Sequence, residues 1–262
     1  VREPSRPLSG IVKNMYEIRL SSRFATSLRH TVSSHGWVSL GPWVWEDARQ
    51  ELSRPERVDS GRSAVIKVRQ RGPRSFLVTV DGNDLARYHI EAAERTVRRW
   101  LWTDWDPRPA VCVAASLDPD VAGFIKSGGG RFLRCSTFYE DYVKTVCTVH
   151  ATWASTKRMV SSLVNGLSNG TFPTPVQVLD CGEQSMRKDL RLGFRSRVLG
   201  ESSRLMLESG TIDERGDLKS SAVAFDDLLK LRGVGDYTAN HVMMLLGDFS
   251  RIPVDSEVTR FC

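Results

Sequence analysis

The stretch Leu228–His241 constrains this chain more than any other. Leu228, Leu229 and Leu231 form an apolar helical face that runs into Gly233-Val234-Gly235, and a second helical pattern starts at Asp236. Glycines one residue apart let a backbone turn sharply and come close to another chain. The helix start beyond them offers unpaired N–H groups and the positive end of a helix dipole, a site suited to an anion such as a phosphate. Val234 is expected to plug the space between the two helices. A plain helix-turn-helix corner has the same pattern, and a lone G-x-G does not decide between them. The continuation does. Ile252-Pro253-Val254-Asp255 follows the second helix, with Pro253 halting the chain and Asp255 placed to cap a third helix. A carboxylate held at a helix start is rigid and can also face a pocket.

The rest of the chain sets bounds. Its 262 residues are enough for one or two domains with a real core, and 40% hydrophobic against 26% charged residues is ordinary for a folded globular chain. The 37 Lys and Arg against 31 Asp and Glu leave a charge of +6, which favours a polyanionic partner. Cys112, Cys135, Cys147, Cys181 and Cys262 are scattered, odd in number and without a C-x-x-C spacing. That speaks against a disulfide framework and against a zinc site, and fits a reducing, intracellular compartment. No metal or other cofactor is expected. Residues 1–10 are polar and Pro-rich, with no apolar signal core, and no run is long enough to span a membrane. The chain opens on Val1 rather than Met, as a processed or trimmed polypeptide would.

The pattern along the chain is α+β. Ile11–Leu20, Ser63–Arg69 and Phe76–Val80 alternate like strands. Asp81-Gly82-Asn83 has turn chemistry, and Asp84 is placed to cap a helix that carries Leu85, Tyr88, Val97, Trp100 and Leu101. Ser127-Gly128-Gly129-Gly130 reads as a surface loop or linker; no G-K-[ST] follows to make it a phosphate loop. Helical patterns dominate afterwards. Thr137-x-x-Glu140 is a capping box and Thr174-Pro175 a helix start. Further helices are expected over Pro175–Asp180, Glu183–Leu190, Ser196–Glu208 and Phe225–Leu231. The reading is an N-terminal domain over residues 1–115 containing an antiparallel β-sheet, and a mostly helical domain over residues 116–262.

The segment Leu231–Asn240, followed by Pro253-Val254-Asp255-Ser256-Glu257-Val258-Thr259-Arg260, closely resembles the core of helix-hairpin-helix DNA glycosylases, in the order and spacing of both elements. Phe138–Val146 through Trp153 is similar to that family's first core helix and DNA-probing loop. Phe172–Pro175 and Leu192–Arg195 resemble further landmarks of its fold. Ser34–Trp37 with Pro42–Trp45 resembles the N-terminal domain of the alkyladenine and 8-oxoguanine branch. The resemblance spans most of the chain and is tightest in 132–262.

What it implies is specific. The partner is double-stranded DNA carrying a damaged base, met by a monomer with no membrane involved, in a nucleus or a bacterial cytoplasm. The base is flipped from the stack into a pocket, and Asp255 is the catalytic carboxylate. Gly233, Gly235, Tyr237 and Thr238 belong to the hairpin that contacts DNA. His150 takes the place that fills the gap left by the flipped nucleotide, unless it is only a surface histidine of that loop. Phe194 and Arg195 stand where relatives probe the opposite strand, and Phe194 as plain core is an equal reading. Trp37 and Trp43, with Tyr237, are candidates to stack on the base, although core packing is the commoner use of a tryptophan. Strand-cleaving members carry a Lys where this chain has Tyr237, and Lys230 lies before the hairpin, so a monofunctional, hydrolytic enzyme is expected. A non-catalytic DNA-binding protein and a bifunctional glycosylase–lyase are the alternatives. Two features depart from the pattern. Asp236 places a negative charge beside the expected phosphate. The sequence stops at Cys262, where relatives continue with helices that close the pocket; any iron–sulfur cluster ligands would also lie there.

Overall fold

The computed structural model describes residues 13–220 and 223–261. The strands are β1 (Lys13–Ser21), β2 (Val44–Glu46), β3 (Glu51–Arg57), β4 (Ser63–Gly72) and β5 (Ser75–Asn83). They form one antiparallel sheet in the order β1-β5-β4-β3-β2. The helices are α1 (Leu28–Val32), α2 (Arg87–Leu101), α3 (Arg108–Leu117), α4 (Pro119–Lys126), α5 (Phe138–Thr148), α6 (Trp153–Leu167), α7 (Pro175–Lys188), α8 (Arg195–Glu208), α9 (Phe225–Leu229), α10 (Asp236–Leu246) and α11 (Ser256–Phe261). The α+β reading of the sequence matches this architecture. Among the described residues no helix is long and apolar enough to cross a membrane. Cys112, Cys135, Cys147 and Cys181 are free thiols.

Period-two alternation sends one face of the sheet inward. Ala64, Ile66 and Val68 of β4 and Phe76, Val78 and Val80 of β5 are buried, with Val68 opposite Val78 and Ile66 opposite Val80. β3 follows the same alternation, but its inward residues are Leu52, Arg54 and Glu56, paired with Val68, Ile66 and Ala64. Two charged side chains are therefore carried into the core by register.

Their partner is α5, which has no solvent face: every residue from Phe138 to Cys147 is buried. A helix buried all round must pair its polar groups inside the protein. Glu140 takes both ends of the Arg54 guanidinium at 2.9 Å and the Lys144 ammonium at 2.8 Å. Tyr139 and Tyr142 meet Ser203 and Ser202 of α8 through their hydroxyls, at 2.5 and 2.6 Å. Asp141 accepts from Trp37 Nε1 (3.1 Å), Cys135 N (3.0 Å) and Arg99 Nη2 (2.9 Å). One continuous apolar cluster, from Leu20 to Leu245, joins the sheet to the helices around α5.

Four local expectations are corrected. Asp81-Gly82-Asn83 is strand, not turn: β5 continues to Asn83 because Gly82 pairs with both Asn14 and Ala64 and is held between two strands. Asp84 is not the helix cap; α2 starts at Arg87, and the Ala86 N–H is met by His89 Nδ1 at 2.8 Å, while His89 Nε2 contacts Asp59 Oδ2 at 2.8 Å. The Gly128–Gly130 stretch is no loose linker. Gly128 and Gly129 are buried, and at Gly128 (φ +106°) a Cβ would lie 2.7 Å from Ser27 N, so only glycine fits this close crossing. The helix expected over Phe225–Leu231 ends two residues sooner, at Leu229, as α9. Of the expected strand Ile11–Leu20, residues 11 and 12 lie outside the described residues. The two helices expected over Pro175–Asp180 and Glu183–Leu190 are the two segments of α7, separated by the non-helical Gly182 (φ +75°, ψ 156°).

The Glu140 pairing sets a stability prediction. Burial opposes its charge, but the Arg54 and Lys144 cations outweigh burial and hold the carboxyl at about 2, below its ordinary 4.5. A group depressed in the folded state contributes stability above its unfolded pKa and loses it as pH falls through the folded one. Unfolding free energy should therefore decline from about pH 4.5 towards pH 2. Glu140→Gln leaves buried cations short of their anion and should cost about 3–5 kcal/mol in urea unfolding at pH 7. A loss below about 1 kcal/mol, the scale of an exposed pair, would contradict this account.

Candidate active site

The hairpin is α9, a turn, and α10. Gly233 has φ +71°, and a Cβ there would lie 2.7 Å from Val198 Cγ2, so α8 closes directly on the turn. Val234 is buried against the core. Gly235 is different: its φ is −110°, it is exposed, and a Cβ would meet no atom within 4 Å. The space above it is open to an outside partner. Gly235 caps α10, whose first N–H groups have no acceptor within the helix. Thr238 is buried in that first turn, and Asp236 is exposed beside it. The adjacent cations are drawn towards acids, Lys230 to Asp227 at 2.7 Å and Arg232 to Glu201 at 3.5 Å.

Asp255 caps α11. Its Oδ1 accepts the Val258 N–H at 2.8 Å, and its carbonyl accepts the Thr259 N–H at 3.0 Å and hydroxyl at 2.8 Å. The residue is exposed, and its charge reaches two side chains of α10. Tyr237, whose hydroxyl lies 3.5 Å from Thr148 Oγ1 at the end of α5, is pushed up by burial and further by Asp255. His241 is pushed down to about 4 by burial, against the upward pull of Asp141 and Asp255, and so is neutral at pH 7.

From these two residues a row of rings runs into the protein. Tyr237 and His241 lie 5.9 Å apart, His241 stacks on Trp37 at 5.0 Å, and Trp37 contacts His35 at 4.7 Å. The Asp141–Trp37 hydrogen bond fixes the row to α5. Trp37 is only 2% exposed, so it backs His241 rather than facing open space. Trp43 lies elsewhere, edge-on to Trp100 at 4.7 Å and beneath the Arg54 guanidinium at 4.6 Å. Of the three aromatic candidates, the fold thus brings Trp37 and Tyr237 together, through His241, and leaves Trp43 in the buried ion-pair region. Sequence reasoning missed His35 and His241. The signal for His241 was its spacing: four residues beyond Tyr237, it falls on the same helix face.

Of the other candidates, His150 is on the α5–α6 loop, and Phe194 and Arg195 are at the start of α8. His150 is exposed there with φ +47°. Arg195 turns inward, donating to the Val146 carbonyl at 3.2 Å and to the Val149 carbonyl, so it props the loop from behind. Phe194 is half exposed, with the Arg195 guanidinium 4.5 Å from its ring. His150 and Arg195 line an open groove of about 1000 Å³ together with Lys157, Arg158 and Arg191, a markedly basic surface. Among the described residues no group of three or more His, Cys, Asp or Glu is placed to hold a metal ion.

No protein-family model and no curated protein sequence matches the chain. Solved structures do match. A 3-methyladenine DNA-glycosylase from Archaeoglobus fulgidus superposes with a TM-score of 0.68 at 17% identity, covering 88% of this chain and 80% of that one. The 8-oxoguanine glycosylase/lyase of Clostridium acetobutylicum, in its apo form, gives 0.68 at 14% identity, covering 96% and 85%. MBOgg1 in complex with a low-affinity DNA ligand gives 0.66 at 17% identity, covering 95% and 85%. Likeness at this level of identity is likeness of architecture: the chain has the α+β fold of the helix-hairpin-helix DNA glycosylases.

Proposed function

We propose that the protein is a monofunctional DNA glycosylase that hydrolyses the N-glycosidic bond of a flipped, damaged base. The observation that carries this reading is the placement of Asp255. An exposed carboxylate is held at the start of α11 by the Val258 N–H, in the segment that follows the helix starting at the open Gly235 turn. Backbone N–H groups at the start of α10 would take a DNA phosphate, and the basic groove below His150 would take the other strand. Alkylated purines are the first choice of substrate, 3-methyladenine above all, because labile cationic bases need little activation by the pocket. Oxidised guanine is the second choice.

The chemistry follows from charge. Breaking the bond builds positive charge on the deoxyribose, and a fixed carboxylate beside it stabilises that state without reorganising. The same carboxylate orients the attacking water and takes its proton. No Schiff base can form at Tyr237, whose phenol is held neutral by burial.

Three outcomes are expected. Asp255→Asn keeps an acceptor for the Val258 N–H but deletes the charge. Single-turnover excision should fall about 100- to 1,000-fold or more, with duplex binding retained; an unchanged rate would end the assignment. Gly235→Ala should leave the melting temperature unchanged, because the added methyl meets no protein atom, yet should weaken binding to duplex DNA. If it melts early or binds as wild type, Gly235 is not the phosphate turn. Finally, an end-labelled duplex should yield an intact abasic strand that breaks only after hot alkali. Cleavage that keeps pace with base loss, together with borohydride trapping, would make the enzyme bifunctional through some lysine.

A further inference from the structure

Two imidazole nitrogens beside the proposed site have no partner. His35 Nε2 and His241 Nε2 are both closed off from solvent and make no hydrogen bond. Their rings lie 5.9 Å apart, and each also contacts Trp37. Buried polar atoms are almost always paired, and each exception calls for an explanation.

The neighbours of His35 fix which nitrogen carries its proton. Ser34 Oγ gives its single proton to the Thr31 carbonyl at 2.7 Å and accepts the Leu133 N–H at 3.0 Å. A hydroxyl has one proton and two lone pairs, so the remaining contact, His35 Nδ1 at 3.0 Å, is an N–H donating to Ser34. Burial, with the His241 ring and the Lys144 cation nearby, keeps His35 uncharged. Its Nε2 is therefore a bare lone pair: a buried acceptor without a donor.

That atom belongs to a cluster in which His35 contacts both Trp37 and His241, and His241 contacts Tyr237 of the hairpin helix at 5.9 Å. A base presented at Tyr237 would reach this atom by way of the His241 ring. We propose that His35 is a specificity-determining residue, its Nε2 accepting a hydrogen bond from the N–H edge of an extruded purine derivative, with His241 beside it. The inference rests on the glycosylase reading and narrows it. Bases that present an amino or lactam N–H on that edge are favoured over bases that present only acceptors there. Base insertion must part the two rings, since neither nitrogen is open in the free protein.

The test uses duplexes with a 2′-fluoro nucleotide, which bind without being cleaved. One carries hypoxanthine, which has a ring N–H, and another 1,N6-ethenoadenine, which has none; a tetrahydrofuran abasic duplex serves as reference. Wild type should bind the hypoxanthine duplex about tenfold more tightly than the etheno duplex, the scale of one buried hydrogen bond. His35→Phe should bring that ratio near one while abasic-duplex affinity stays unchanged. Equal wild-type affinities would overturn the proposal whether or not the variant folds, as would a folded His35→Phe that keeps the preference. Matched 2′-deoxy duplexes separate the two readings. A preserved binding preference with neither base released counts against Asp255 chemistry and for edge reading by His35. Release of both bases at equal rates, with equal affinities, does the reverse.

Discussion

Glu140 and Asp141 are consecutive carboxylates on a helix without a solvent face, and the rest of the molecule is arranged around satisfying them. They point to different sides of α5. Glu140 draws Arg54 from the sheet and Lys144 from its own helix. Asp141 draws Arg99 from α2 and the indole of Trp37. Glu140 needs the sheet against α5, and Asp141 needs α2 and the Trp37 segment, so the two carboxylates are both satisfied only when sheet, α2 and α5 are in place together. A buried ion pair adds little stability over an apolar core of the same shape. What it adds is intolerance of misassembly, because a shifted sheet would leave charges buried and unpaired.

This constraint reaches the proposed site. Trp37, held by Asp141, supports His241, and His241 shares the face of α10 that carries Tyr237 towards Asp255. The ring-bearing face of α10 is thus set partly from the N-terminal side of the molecule, through rings and one indole hydrogen bond. The hairpin is fixed separately, by the contact of Gly233 with Val198 of α8. Rigid supports on two sides suit a carboxylate whose proposed work is electrostatic, since preorganised charge acts without reorganisation.

Much of this was legible in the residues. The two-glycine turn, Pro253 and Asp255 are local signals: backbone freedom, ring closure and helix capping act within a few residues, so their spacing alone marks the hairpin and the third helix start. The alternation of β4 and β5 and the helix caps at Thr137 and Thr174 are legible for the same reason, but the capping box expected at Thr137 is only half formed, because the Glu140 carboxylate pairs with Arg54 and Lys144 instead. The misreadings also share a cause. Turn chemistry at Asp81–Asn83 was overridden by pairing on both sides of Gly82, and the flexible composition of Gly128–Gly130 was overridden by the close crossing at Ser27. In both places glycine serves a close approach to a distant segment, which composition cannot distinguish from a loop.

The sequence by itself determined the two-glycine hairpin and the helix start at Asp255, because capping, turning and periodicity are short-range. Only the tertiary structure decided which aromatic residues adjoin the hairpin helix α10. Trp37 and Trp43 are six positions apart and look equivalent in the chain, yet one is fastened to Asp141 and stacks on His241 while the other lies under Arg54. The tertiary structure alone also set the state of His35, whose bare nitrogen follows from a hydrogen bond between Leu133 and Ser34, residues 99 positions apart. Contacts of that range depend on how the sheet docks on α5, and no local pattern encodes them.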